Sequence, residues 1–142
     1  MSRLNIQKVQ PDAYQAMFGL ENYLADSSLT ADLQELIRLR ASLINRCHFC
    51  INMHTTAAQK IGIDKDKIEA LNNWKNSTVF SNREHAAFAI TDMLTNVAVQ
   101  GLPDEVYAAA EMEFTETELA QLIMLIATIN AWNRLGISMA AS

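Results

Sequence analysis

The chain has 142 residues, half of them hydrophobic and 19% charged, and sixteen acidic against eleven basic side chains leave it at −5. Such a length reads as a single domain spanning 1–142 with a core of its own, and the composition excludes disorder. The negative balance argues against nucleic acid or an anionic membrane surface as a partner.

Apolar residues recur at spacings of three and four almost throughout, without alternating strand patterns, which predicts an all-α fold of about six or seven helices. Pro11 opens a helix to about Ala25 with Tyr14, Met17, Phe18 and Leu20 on its apolar face. Ser28 or Thr30 caps a second helix to about Ile44, buried through Leu33, Leu36, Ile37, Ala41 and Ile44. Asn45 reads as a break. A third helix runs from the cysteines to Gly62, and a short one from Asp64 to Trp74. After a loop at Asn76 to Ser81, Ser81 and Glu84 form a capping box opening a helix to about Val99, ended by Gly101. Pro103 starts a short helix to Phe114. Thr115 and Glu118 form a second capping box, opening a last helix that Gly136 closes. That helix is apolar on nearly all sides from Leu119 to Ile129, so it requires a central position or a subunit interface. Asn130, Asn133 and Arg134 are assigned structural hydrogen bonds within it. No internal repeat or linker is evident.

The opening segment MSRLNIQKVQ has no leader-like apolar stretch, and the most apolar run, Leu122 to Ala127, is too short to cross a bilayer, so the expected compartment is the cytoplasm. There, two cysteines three positions apart are more often catalytic or metal-binding than a structural cross-link. Each helical residue turns by about 100°, so Cys50 lies about 60° and His54 about 20° from Cys47 on one stripe, while His48 points elsewhere. The start of a helix, with unpaired amides, a positive dipole end and Arg46 close by, favours thiolate over thiol. A second thiol three residues away can condense with a sulfenic acid before it over-oxidises. Glu35, on the preceding helix, could fold back to orient His54, although Arg38 three residues on offers it an ordinary surface partner.

A glutamate, eleven residues, Cys-x-x-Cys, three residues and a histidine resemble the AhpD-like alkylhydroperoxidase group of the carboxymuconolactone decarboxylase family, with support from REHAAFAITDMLT and INAWNRL. The resemblance implies an AhpD-like helical bundle, a homo-oligomer (trimer or hexamer), and reduction of organic hydroperoxides through a dithiol/disulfide cycle. It implies Cys50 as the peroxide-attacking thiol, Cys47 as the resolving thiol, and His54 with Glu35 as the proton relay. The partners it implies are a hydroperoxide and a dithiol reductant or protein thiol donor, with no cofactor. Where well-studied members carry a further histidine before the second cysteine, this chain has Phe49, with His48 one position earlier.

Two other readings use the same residues. Cys47, Cys50 and His54, with Glu35 or water, could ligate zinc, although structural zinc sites usually draw ligand pairs from two loops. Alternatively the cysteines are small buried hydrophobes and His54 a core histidine in an oligomeric scaffold. His85 is expected at the surface or an interface, and Trp74 and Trp132 as core or interface anchors rather than a cofactor platform. No glycine-rich phosphate loop or haem attachment signal is present.

Overall fold

A computed structural model describes residues 2–140. Among these residues the chain is helical and without strands: α1 (Ile6–Val9), α2 (Pro11–Ala25), α3 (Ala31–Asn45), α4 (His48–Lys60), α5 (Lys65–Ala70), a 3₁₀ segment (Leu71–Asn76), α6 (Asn82–Thr95), α7 (Val97–Gln100), α8 (Asp104–Glu113) and α9 (Glu116–Met139). Nine α-helices exceed the expected six or seven because two four-residue helices escape a periodicity reading. The first, α1, is capped by the Asn5 side chain accepting from Lys8 N–H. The other, α7, arises because the helix expected to reach Val99 breaks at Asn96, whose backbone and side-chain N–H groups both donate to the Asp92 carbonyl.

Several local signals act as expected, although α9 runs past Gly136 to Met139 and the helix expected from Asp64 to Trp74 turns 3₁₀ after Ala70. Pro11 occupies the first turn of α2, and Thr30 rather than Ser28 caps α3 by accepting from Leu33 N–H. Both capping boxes form, at Ser81/Glu84 and Thr115/Glu118. Gly62 takes a left-handed φ of 94° just past α4, a conformation that costs a residue without Cβ little. One boundary differs at the cysteines: Asn45 is still helical, Arg46 turns the chain with φ 55°, and Cys47 becomes the N-cap of α4 rather than a residue of its first turn.

Helix α3 lies at the centre, packed on α4, α6 and α9. Leu36, Ile37, Ala41 and Ser42 are fully buried, and Leu33, Gln34 and Arg38 nearly so, so α3 is enclosed on more than the single predicted stripe; Ile44 is only half-buried. Facing it, Leu122, Leu125, Ile126 and Ile129 of α9 complete the core with Phe88 and Ile90 of α6. By length and composition α9 could cross a membrane, longer than its most apolar run suggests, but it packs between α2, α3, α4, α6 and α8. Its asparagines tie the core together. Asn45 Nδ2 donates to both Asn130 Oδ1 and Asn133 Oδ1 at 2.9 Å, Asn133 Nδ2 donates to Ser42 Oγ, and Asn130 Nδ2 donates to Thr95 Oγ1. These bonds clamp the end of α3 to α9 and so fix the corner that carries Cys47.

His85 sits half-buried between Trp74 and Phe80, its Nε2 donating to the Ser77 carbonyl at 3.2 Å, and forms part of an aromatic cluster. Trp74 is a core anchor, donating from Nε1 to Asp92 Oδ2, which also pairs with Arg40.

Candidate active site

The 3.6-residue period of α4 and the sharp turn at Arg46 bring the chemistry together. Cys47 and Cys50 are joined in a disulfide with Cα atoms 5.2 Å apart, and both are almost completely buried. Behind them stands Gly136, inside α9 rather than at its end: a Cβ there would lie 3.0 Å from Cys47 Sγ and 3.4 Å from Cys50 Sγ. A glycine leaves clearance where the backbone of α9 approaches the sulfur pair so closely.

Glu35 faces both partners that its sequence position suggested. One carboxylate oxygen, Oε2, accepts from His54 Nδ1 at 2.9 Å, and the other, Oε1, accepts from Arg38 Nη1 at 3.0 Å. The side chains of Glu35, His54 and Arg38 are only 15%, 13% and 10% exposed, so these bonds are shielded from solvent. Arg38 in turn donates from Nη2 to Glu21 Oε2 at 3.0 Å, and Trp132 Nε1 donates to Glu21 Oε1 at 2.9 Å. Burial alone raises the Glu35 carboxyl, but the His54 hydrogen bond, the positive charges of His54 and Arg38 and the Arg38 hydrogen bond outweigh it and hold the group below its ordinary range. The Nδ1 bond fixes the imidazole orientation and leaves Nε2 free to act on a bound molecule.

Cys50, His54 and Glu35 line one cavity of about 810 Å³. Its apolar wall is Tyr14, Phe18, Met53, Trp132 and Met139, with Phe49 at its edge, 69% exposed. Tyr14, Phe18 and Trp132 pack edge-on or tilted against one another with centroids 5.3–6.1 Å apart. Trp132 thus forms part of a cavity wall, and the apolar face of α2 lines the same space through Tyr14 and Phe18. His48 is exposed and outside the cavity. Among the described residues no three His, Cys, Asp or Glu side chains converge as a set suited to a metal ion. Sequence reasoning did not find Glu21, the role of Arg38 as a bridge, or Gly136, since each acts through a residue far away in the chain.

A family model for the carboxymuconolactone decarboxylase family matches residues 11–93, from α2 through most of α6. The chain belongs to this family. The chain is 33% identical over 137 residues to the uncharacterized protein YdfG of Bacillus subtilis (strain 168), covering 96% of this chain and 93% of that one. An Agrobacterium tumefaciens protein of unknown function, associated by name with antioxidant defence as AhpD, shares the fold with a TM-score of 0.95 and 32% identity over 100% of this chain and 97% of its own. The debrominase Bmp8, crystallised with 2,3,4-tribromopyrrole, has the same fold with a TM-score of 0.85 at 20% identity, over 96% of this chain and 73% of its own. This carboxymuconolactone decarboxylase family member therefore has an AhpD-like fold.

Proposed function

We propose that this protein is a thiol-dependent peroxidase that reduces organic hydroperoxides through a Cys47/Cys50 dithiol–disulfide cycle. One observation carries the reading: the buried Glu35–His54 hydrogen bond, 2.9 Å long, borders the same apolar cavity as Cys50. In the reduced protein the Cys50 thiolate attacks the distal oxygen of ROOH. The O–O bond breaks, an S–O bond forms, and RO⁻ takes a proton from His54, whose charge Glu35 balances. Cys47 then attacks Cys50 Sγ, hydroxide leaves as water with a proton returned through His54, and the disulfide forms. The sum is ROOH plus two thiols giving ROH, water and a disulfide; the structure corresponds to the oxidised state. The apolar, aromatic wall suits a bulky organic group better than hydrogen peroxide.

Electrons return from a dithiol or protein thiol donor in a reducing cytoplasm, and the working form is a homo-oligomer of the whole 1–142 domain. Dithiol-dependent turnover of cumene hydroperoxide tests the reading: Cys50→Ser abolishes it, and Cys47→Ser supports one turnover and leaves a Cys50 sulfenic acid that dimedone labels. Full turnover by Cys50→Ser would refute it.

A second reading is favoured by the aromatic wall. The same dithiol could remove bromine from an aromatic ring as bromide, replacing it with hydrogen and closing the disulfide. Parallel assays with 2,3,4-tribromopyrrole and the hydroperoxide separate the two.

A further inference from the structure

The disulfide is bordered on two sides. Cys50 opens onto the aromatic cavity, whereas Cys47 lines a second, smaller space of about 260 Å³ together with Arg3, Arg46 and His48; Phe49, Gly136 and Ala140 border both. Among the described residues no carboxylate lines this second space, although the chain carries a net −5. Arg3 Nη1 donates to the carbonyls of Ile137 and Ser138 at 3.4 and 3.3 Å, which holds its guanidinium beside the end of α9 without neutralising it. Arg46, turned outward by its left-handed backbone, and His48 lie within reach of no carboxylate among the described residues. The Cys47 side chain does not cap α4, so the first amides of that 13-residue helix add to the positive field.

We propose that this basic space is the entry site of the reductant, that it takes a thiol carrying an anionic group such as a carboxylate or sulfonate, and that the reductant attacks Cys47. The inference rests on the proposed dithiol cycle and names its second half. The donor thiolate attacks Cys47 Sγ and the Cys47–Cys50 bond breaks. Its electron pair leaves on Cys50 Sγ, which takes a proton from His54, the better leaving group being the sulfur whose anion is stabilised. A second donor thiolate then attacks the donor sulfur of the mixed disulfide and releases Cys47 as thiolate, which solvent protonates. Two electrons pass from donor to protein, the two protons come from His54 and from solvent, which also restores the His54 proton, and the donor leaves as its disulfide. Oxidant and reductant thus approach opposite sulfurs, and neither has to vacate the other's cavity.

The test uses the oxidised full-length protein with 2-mercaptoethanesulfonate and neutral 2-mercaptoethanol, followed by rapid iodoacetamide trapping and fragment-ion mapping. The sulfonate adduct is expected on Cys47 and alkylation on Cys50; the adduct on Cys50 would overturn the proposal. In rate measurements, the sulfonate-to-neutral ratio is expected to fall about tenfold in the Arg46→Glu/His48→Glu variant at low ionic strength, with the difference collapsing in high salt. Arg3→Glu, at an exposed position, gives a smaller fall in the same ratio and serves if the double variant does not fold. A ratio unchanged by these substitutions overturns the assignment. Neither measurement uses a hydroperoxide, so failure of the peroxidase reading is registered separately, in its own turnover assay.

Discussion

Gly136→Ala isolates the contact between α9 and the sulfur pair. The new methyl would sit 3.0 Å from Cys47 Sγ, closer than carbon and sulfur ordinarily approach, and 3.4 Å from Cys50 Sγ, at the edge of ordinary contact. The sulfurs have little room to yield: Cys47 is tied to Cys50, its N–H donates to the Ser42 carbonyl at 3.1 Å, and its carbonyl accepts from Ile51 N–H at 2.8 Å. Overpacking of this kind costs about 1–3 kcal/mol, and replacing a mid-helix glycine by alanine returns about 0.5–1 kcal/mol. The expected net loss in the oxidised protein is therefore up to about 2.5 kcal/mol, centred near about 1 kcal/mol, and each kcal/mol lowers Tm by roughly 3 °C for a chain of this size. Gly19→Ala is the control. It lies in α2, where an added Cβ would meet nothing within 4 Å, so the same substitution there gains helix propensity alone and stabilises by about 0.5–1 kcal/mol. Urea unfolding of both variants, oxidised and reduced, measures the difference. Reduction frees Cys47 Sγ to rotate, so the Gly136→Ala penalty shrinks. A Gly136→Ala protein stabilised as much as Gly19→Ala, or equally penalised in both redox states, would refute the reasoning.

Glu35→Gln keeps a hydrogen-bonding group beside His54 but removes its charge, and hydroperoxide turnover is expected to fall by about 10²-fold or more, with a changed pH–rate profile that a purely structural loss would not produce. The acid limb of stability should change too. The Glu35 carboxyl is held below its ordinary value of 4.5, so its stabilising contribution is complete above that pH and is lost as pH falls through the folded-state value; urea midpoints across this range should slope less in Glu35→Gln. Asn133→Ala removes the fully buried donor to Ser42 Oγ and one of two acceptors for Asn45 Nδ2, and is expected to cost about 1–3 kcal/mol in equilibrium unfolding. Trp132→Ala opens the aromatic wall and frees Glu21 Oε1, so KM for a bulky hydroperoxide should rise more than KM for hydrogen peroxide; an equal change for both would show that the wall does not select.

Helices, caps and the cysteine stripe were determined by the sequence itself because they depend on local periodicity and on side chains within a few residues of their partners. The Ser81/Glu84 and Thr115/Glu118 boxes, the stop at Gly62 and the shared face of Cys50 and His54 all follow from spacings of three or four. Short helices and exact ends were less legible, since one side chain such as Asn5 or Asn96 decides them. Only the tertiary structure settled which of Glu35's two spatial options was used, and it used both. Packing of α9 behind the disulfide likewise turned Gly136 from an apparent helix end into the clearance for two sulfurs, and placed Trp132 in the wall of the cavity. The long stretch of chain between Cys47 and Gly136 carries no local pattern that announces their meeting; it exists because buried apolar faces of α3 and α9 have one close-packed arrangement, and the polar groups they carry must then find one another.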